Sequence, residues 1–425
     1  MPHYSAGRKK TPMSLQLTPD TGSMASRIFT AHRLSAYPLI FLTVYIVATI
    51  AWMSQVTDLI DPRQKPIGYD FITFWGASWL TLQGDAAAVF DAAKMFAAEK
   101  VAVPGSDKVF LWHYPPTFLA IVLPLSLIPY IWSYLIWTTG TFAGYAWVVR
   151  KMAPQPQTLL LLCAFPGTFM NFFHGQNGFL TAALFGGAML VLERRPIAAG
   201  ILIGLLSYKP HFGLLLPLAL LCGRHWTSFF WAAGTTVAFA ALSVAAFGVD
   251  TWIAFWDNAP LARAVFEDGL VRWAKIPSAF AALRLAGAGL TVAYAVQITI
   301  AVCIAATVAL VWWRRPPLPL RAATLVAGTL AATPYLFDYD FALLAIPIAL
   351  IAMDGYLRGW NAGERPILVV AWVMPLVSTG IAEWTNVQVG PACVLALFVI
   401  AARRALATQD RQRRTPVSTP MKSSS

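Results

Sequence analysis

A chain of 425 residues that is 58% hydrophobic and only 12% charged has too little polar surface to cover a soluble globule of its size, which excludes the soluble enzyme classes. The net charge of +12 does not point to nucleic acid, because the basic residues stand at the ends of apolar runs, where they set orientation across a bilayer. The cysteines Cys163, Cys222, Cys303 and Cys393 lie inside apolar runs without metal-like spacing and read as small packing residues.

Residues 1–33 are polar, with Arg8, Lys9, Lys10, Arg27 and Arg33, and no small-residue cleavage site follows, so they read as a disordered cytoplasmic tail rather than a signal peptide. Apolar runs then occupy 34–54, 115–149, 157–173, 178–192, 196–207, 213–223, 226–248, 287–313, 318–336, 341–357, 366–381 and 388–402. They predict an all-α polytopic membrane protein over 34–402 with about twelve transmembrane helices. Outer loops fall at 55–114 and 249–286, and a second disordered cytoplasmic tail, basic and rich in Ser and Pro, at 403–425. With both termini inside, the inner segments hold 21 Lys/Arg against 5 Asp/Glu and the outer ones 10 against 14, as the positive-inside bias requires.

Some runs have the wrong length for one crossing. The stretch 115–149 is too long, and Pro124 and Pro129 predict a break within it, which makes thirteen spans if each part crosses. The runs 196–207 and 213–223 are too short, so they predict a hairpin whose turn, Tyr208 to His211, sits below the outer surface. A single tilted span would instead bury Lys209 at its middle and invert the charge pattern that follows. In the first outer loop, Asp70–Gln83 and Asp85–Lys100 read as amphipathic helices on the outer membrane surface. The second, with Trp252, Phe255, Trp256, Phe266 and Trp273 among Arg263, Arg272 and Lys275, reads as another surface-lying segment.

Polar residues that interrupt or border the apolar runs gather on the outer side. Asp70 heads the aromatic stretch Phe71 to Trp75, where a carboxylate suits a base acting on a lipid-borne substrate and equally suits a helix cap. The others are His113-Tyr114-Pro115-Pro116, His174-Gly175-Gln176-Asn177, Lys209-Pro210-His211 and Asp338-Tyr339-Asp340. Each has a structural reading: an interfacial residue before a proline-started helix, an outer turn, a satisfied interfacial histidine, a cap. None explains why all face one side. Lys209 resists it most, since a cation at bilayer depth pairs with an anion or marks a substrate path. Asp338 and Asp340 look like a divalent-cation pair, but on a helix i and i+2 do not share a face. The sequence holds no P-loop, dinucleotide glycine run, HExxH or Gly-x-Ser-x-Gly motif, which argues against ATP- or NAD-driven chemistry.

The order of these segments resembles glycosyltransferase family 87, the integral membrane mannosyltransferases of the GT-C fold. The matching features are Asp70-Phe71, Gly84 to Phe90, Tyr114 to Pro116, Gly175 to Asn177, Gly200 to Pro210, and Thr333 to Asp340. The resemblance implies a polyprenyl-phosphate sugar donor entering from the bilayer, a glycolipid or glycan acceptor, and a site facing the periplasm or exterior of the cytoplasmic (inner) membrane. It implies an inverting displacement with Asp70 as general base. Lys209, His113 and His174 become candidates to hold the leaving phosphate, and Tyr114, Gln176, Asn177, Asp338 and Asp340 to contact substrate. No metal and no cofactor is required. Asp58 and Asp61, close to Asp70 in sequence, compete for the role of base. The rival reading is a transporter or lipid-linked-sugar flippase with Lys209 on its path, but the polar residues lie on one side only and no half-to-half symmetry is visible. A structural membrane subunit would tolerate replacement of Asp70 and Lys209.

Overall fold

The breaks in the apolar pattern organise the fold. In the computed structural model, which describes residues 31–414, the regular structure is helical from Ala31–Met53 to Gly390–Arg414. The tail residues 1–30 and 415–425 lie outside the described residues. Among those described, Ser35–Met53, Trp226–Phe247, Leu290–Arg314, Asp338–Arg358, Glu364–Thr385 and Gly390–Thr408 are long and apolar enough to cross a membrane. The other apolar helices, such as Gly178–Val191 and Leu318–Ala332, are shorter, so six of the described helices reach the length and composition of a span by themselves.

The 115–149 run breaks where its prolines predict, into Pro116–Val122, a 3-10 turn Leu125–Leu127, and Tyr130–Met152. The carbonyls freed at the break need donors, because a bilayer offers no water to them. Helix Phe71–Leu82 supplies these: Ser78 Oγ donates to the Leu123 carbonyl at 2.6 Å and Trp75 Nε1 to the Ile128 carbonyl at 3.0 Å. That service explains a correction. Phe71–Leu82 is not an amphipathic surface helix; Phe71, Ile72, Phe74 and Ala77 are wholly buried, and the helix is apolar nearly all round. The second expected surface helix also differs, dividing into a 3-10 turn Ala86–Phe90 and a helix Ala92–Ala102. Its cap is Asp91 rather than Asp85, accepting from the amides of Ala93 and Lys94 at 2.8 and 3.1 Å.

The short runs form the hairpin. Pro196–Leu205 leads through a 3-10 turn, Leu206–Tyr208, to Lys209, and Pro210–Gly213 and Leu215–Cys222 return. Both feet of the hairpin meet at one guanidinium: Arg321 donates to Glu193 at 2.5 Å and to His225 Nε2 at 3.2 Å. The outgoing limb packs closely on Trp226–Phe247 through Gly200 and Gly204. A Cβ on Gly200 would lie 2.5 Å from Trp231 Cβ, and one on Gly204 2.4 Å from Thr235 Cβ. Small residues four apart permit this approach where no hydrophobic force drives helices together. The consequence is a rigid support that holds Lys209 inside the protein.

The last helix, Gly390–Arg414, runs past residue 402, where a disordered tail was expected to begin. Arg404 accounts for the difference. It is buried and donates to Asp354 at 2.7 Å and to Glu364 at 2.9 Å, and such charge-assisted bonds tie the helix end to its neighbours.

Candidate active site

Asp70 is presented by a tightly folded strap, residues 57–70. Buried Asp61 organises it: one carboxylate oxygen accepts from the amides of Arg63 and Lys65 at 2.9 and 2.8 Å, the other from the Tyr69 hydroxyl at 2.6 Å. Gly68 and Tyr69 both have positive φ, 80° and 43°. For Tyr69 that conformation costs about 1–2 kcal/mol, and its bond to Asp61 helps hold it there. The Tyr130 hydroxyl pins the strap from below, donating to the Ile67 carbonyl at 2.5 Å.

The turn so built delivers Asp70, half-buried, to the head of helix Phe71–Leu82. The carboxylate does not cap that helix. Asp70 Oδ2 instead accepts from Gln176 Nε2 at 3.1 Å. Of the competing carboxylates, Asp61 is committed to the strap and Asp58 is exposed.

Gln176 reaches Asp70 because two loops nearly touch. Helix Pro166–His174 ends at Gly175, whose φ of 61° is left-handed, and a Cβ there would lie 2.5 Å from Phe71 Cβ and 3.0 Å from the Gly68 carbonyl. Helix Tyr130–Met152 fixes this turn also: the Tyr134 hydroxyl donates to the Phe172 carbonyl at 2.8 Å and the Trp137 indole to the Gly175 carbonyl at 3.1 Å.

From Gln176 the hydrogen bonds continue. Its Oε1 accepts from the Tyr114 hydroxyl at 3.0 Å and from the Asn177 amide at 3.2 Å. Asn177 Oδ1 accepts from Lys209 Nζ at 2.9 Å, and the same ammonium meets Asp340 Oδ1 at 2.5 Å. Asp340 Oδ2 accepts from the Phe337 amide at 3.2 Å. Thus Asp70, Tyr114, Gln176, Asn177, Lys209 and Asp340 form one connected polar chain.

Lys209 and Asp340 meet as a buried ion pair, 2% and 0% exposed, each matching the other's charge. Asp338 diverges from Asp340, accepting through Oδ1 from the Tyr339 amide at 2.9 Å while its buried Oδ2 has no partner. Among the described residues no group of three or more His, Cys, Asp or Glu side chains is placed to hold a metal.

His174 is buried at the edge of the chain. Its Nδ1 lies 2.8 Å from the Met170 carbonyl and therefore carries the proton, with the rings of Tyr69 and Tyr339 at 5.5 and 6.2 Å. His113 is exposed and is not bonded into the chain. Several supporting residues escaped sequence reasoning. Buried Asn171 accepts through Oδ1 from the Gly178 amide at 2.9 Å, and Tyr208 hydrogen-bonds Thr181 at 2.7 Å and stacks on Phe118. A polar side chain inside the apolar run 157–173 was the available signal for Asn171, and the break between the runs 196–207 and 213–223 the one for Tyr208. Glu99 is fully buried in helix Ala92–Ala102, and burial pushes its carboxyl up to about 8, with the Phe110 amide opposing and the charge of Asp70 adding to the rise.

The chain is thus helical, with six described helices long and apolar enough to cross a membrane, and it presents the half-buried carboxylate of Asp70 beside polar side chains. The profile of glycosyltransferase family 87 matches residues 112–334, more than half of the chain, and the protein belongs to that family. The match includes Tyr114, Gln176, Asn177 and Lys209; Asp70, Asp338 and Asp340 lie outside it. No curated protein and no solved structure matches the chain.

The loop contact at Gly175 gives a first prediction. Gly175→Ala forces a side chain both into a left-handed backbone and against Phe71, separating Gln176 from Asp70. Because a misplacement of about 1 Å can cost about 10²-fold in rate, sugar transfer is expected to fall by about that factor. Gly140→Ala, where an added Cβ meets nothing within 4 Å, is the control and should keep the parental rate. Equal initial rates for both variants would show that the contact does not set the site.

Proposed function

We propose that the protein transfers a hexose, mannose by the preference of the family it resembles, from a polyprenyl-phosphate sugar to a glycolipid or glycan acceptor. The reaction takes place at the outer face of the cytoplasmic membrane. The observation that carries this reading is the carboxylate of Asp70, half-buried, free of the helix it precedes, and oriented by Gln176. With Gln176 holding Oδ2, Oδ1 is left to accept the proton of the acceptor hydroxyl. The acceptor oxygen then bonds to the anomeric carbon as the bond from that carbon to the phosphate oxygen breaks. Polyprenyl phosphate leaves with the electron pair, and a single displacement inverts the anomeric configuration.

Tyr114, Asn177 and Lys209 act here through Gln176, as positioning residues. Bonds within a polar chain of low exposure restrict each other, so the orientation of Gln176 depends on the anchor at Lys209 and Asp340. His174 lies close enough to this chain to border the bound sugar. Membranes containing the protein, given labelled polyprenyl-phosphate mannose, should move label into a glycolipid or glycan fraction, whereas labelled nucleotide sugars should not serve directly. Transfer from a nucleotide sugar with no lipid intermediate would overturn the donor assignment.

A further inference from the structure

Helix Pro166–His174 ends with an imidazole between the two loops that carry the carboxylates of the site. The His174 ring lies 5.5 Å from that of Tyr69, which precedes Asp70, and 6.2 Å from that of Tyr339, which precedes Asp340. Tyr339 is itself fixed, stacked on Phe337 at 5.3 Å with Lys209 Nζ 5.2 Å from its ring centre. Two residues after His174, Gln176 holds Asp70. The imidazole therefore borders the polar chain both where it begins, at Asp70, and where it ends, at Lys209 and Asp340.

Its own helix selects the tautomer. Nδ1 donates to the Met170 carbonyl at 2.8 Å, one turn back, so the neutral ring presents the lone pair of Nε2 as an acceptor. Nε2 has no partner among the described residues, yet it is not sealed off as the partnerless Asn177 Nδ2 and Asp338 Oδ2 are. The residue as a whole is only 6% exposed. An acceptor held this rigidly, shielded but reachable beside a base, is matched by a donor that the substrate brings. Sugar hydroxyls are such donors. An ionised phosphodiester offers acceptors alone and meets the lone pair with repulsion.

We propose that His174 Nε2 accepts a hydrogen bond from a hydroxyl of the sugar being transferred, which makes His174 a specificity residue for the donor; the assignment rests on the donor reading above. Asp70 must reach the oxygen that bonds to the anomeric carbon, so the transferred ring lies beside Asp70, where His174 stands. A site that hydrogen-bonds one hydroxyl rejects an analogue without it, because its own polar group is then left unpaired. A hydroxyl of the acceptor glycan carries the same chemistry, and the experiment separates the two sources.

The probes are polyprenyl-phosphate mannose and polyprenyl monophosphate, titrated into the full-length protein in nanodiscs of neutral phosphatidylcholine, with transfer rates measured alongside. His174→Phe keeps a ring between Tyr69 and Tyr339 but no nitrogen. His174→Asn keeps a donor for the Met170 carbonyl and reaches no further, whereas His174→Gln brings an acceptor to the place of Nε2. His174→Phe and His174→Asn should each bind the sugar-bearing lipid about tenfold more weakly, the loss expected when a shielded hydrogen bond loses one partner. Their affinity for polyprenyl monophosphate should not change, and His174→Gln should retain most of the affinity for both lipids. Parental binding of the sugar-bearing lipid by His174→Asn, with or without a deficit in His174→Gln, confines the residue to its Met170 anchor and overturns the proposal. Equal weakening for both lipids overturns it in favour of a phosphate contact. Parental affinities with slower transfer overturn it in favour of an acceptor hydroxyl. In each of these cases the parent still binds and uses the sugar-bearing lipid, so the donor reading stands; a parent that does neither overturns both.

Discussion

Asp70→Asn is expected to yield a folded protein that still binds the lipid donor and transfers sugar about 10² to 10⁴ times more slowly, the usual contribution of a general base. The substitution keeps the size of the side chain and an oxygen for Gln176 Nε2, so the polar chain survives while the proton acceptor is lost. Asparagine is also among the preferred capping residues, so a role confined to helix capping would leave the rate near that of the parent. A lost cap costs only about 0.5–2 kcal/mol of stability, which the thermal unfolding of the solubilised protein would register. Asp61→Asn provides the contrast. It weakens acceptance from two amides and from Tyr69, so thermal stability should fall, with the rate following the strap's disorder. Parental turnover by Asp70→Asn, together with an inactive Asp58→Asn, would move the base earlier in the loop.

Lys209→Met should act on the fold before it acts on the chemistry. Removing one partner of a buried ion pair leaves the other charge uncompensated, at about 3–5 kcal/mol, and here the abandoned group is Asp340, 0% exposed. The loss also frees Asn177, which reaches Gln176 through its own backbone amide. Adding Asp340→Asn to Lys209→Met removes the orphaned charge and should restore most of the lost stability. Transfer should stay depressed in the double variant, because Asn177 still lacks its anchor. A Lys209→Met protein of parental stability with a raised KM for donor would instead mean that Lys209 meets the phosphate itself. Unfolding midpoints and donor KM, measured on the two variants side by side, separate these outcomes.

Features encoded by local spacing were legible in the sequence. Pro124 and Pro129 announced the break before Tyr130–Met152, because proline cannot donate the helical bond. Runs too short to cross announced the hairpin at Lys209, and the order of the motifs, Tyr114 to Pro116, Gly175 to Asn177 and Gly200 to Pro210, announced the family that residues 112–334 match. The sequence thus determined a helical membrane glycosyltransferase and most of the residues of its polar chain.

Partnership was decided only by the tertiary structure. Lys209 and Asp340 are 131 residues apart, and Asp70 and Gln176 are 106 apart, so local pattern did not say which anion would meet the cation or which side chain would hold the carboxylate away from its helix. The burial of Phe71–Leu82 was hidden for the same reason. Its surroundings are set by the carbonyls freed at Leu123 and Ile128, far along the chain, and a polar group in a membrane must find its partner wherever the fold brings one.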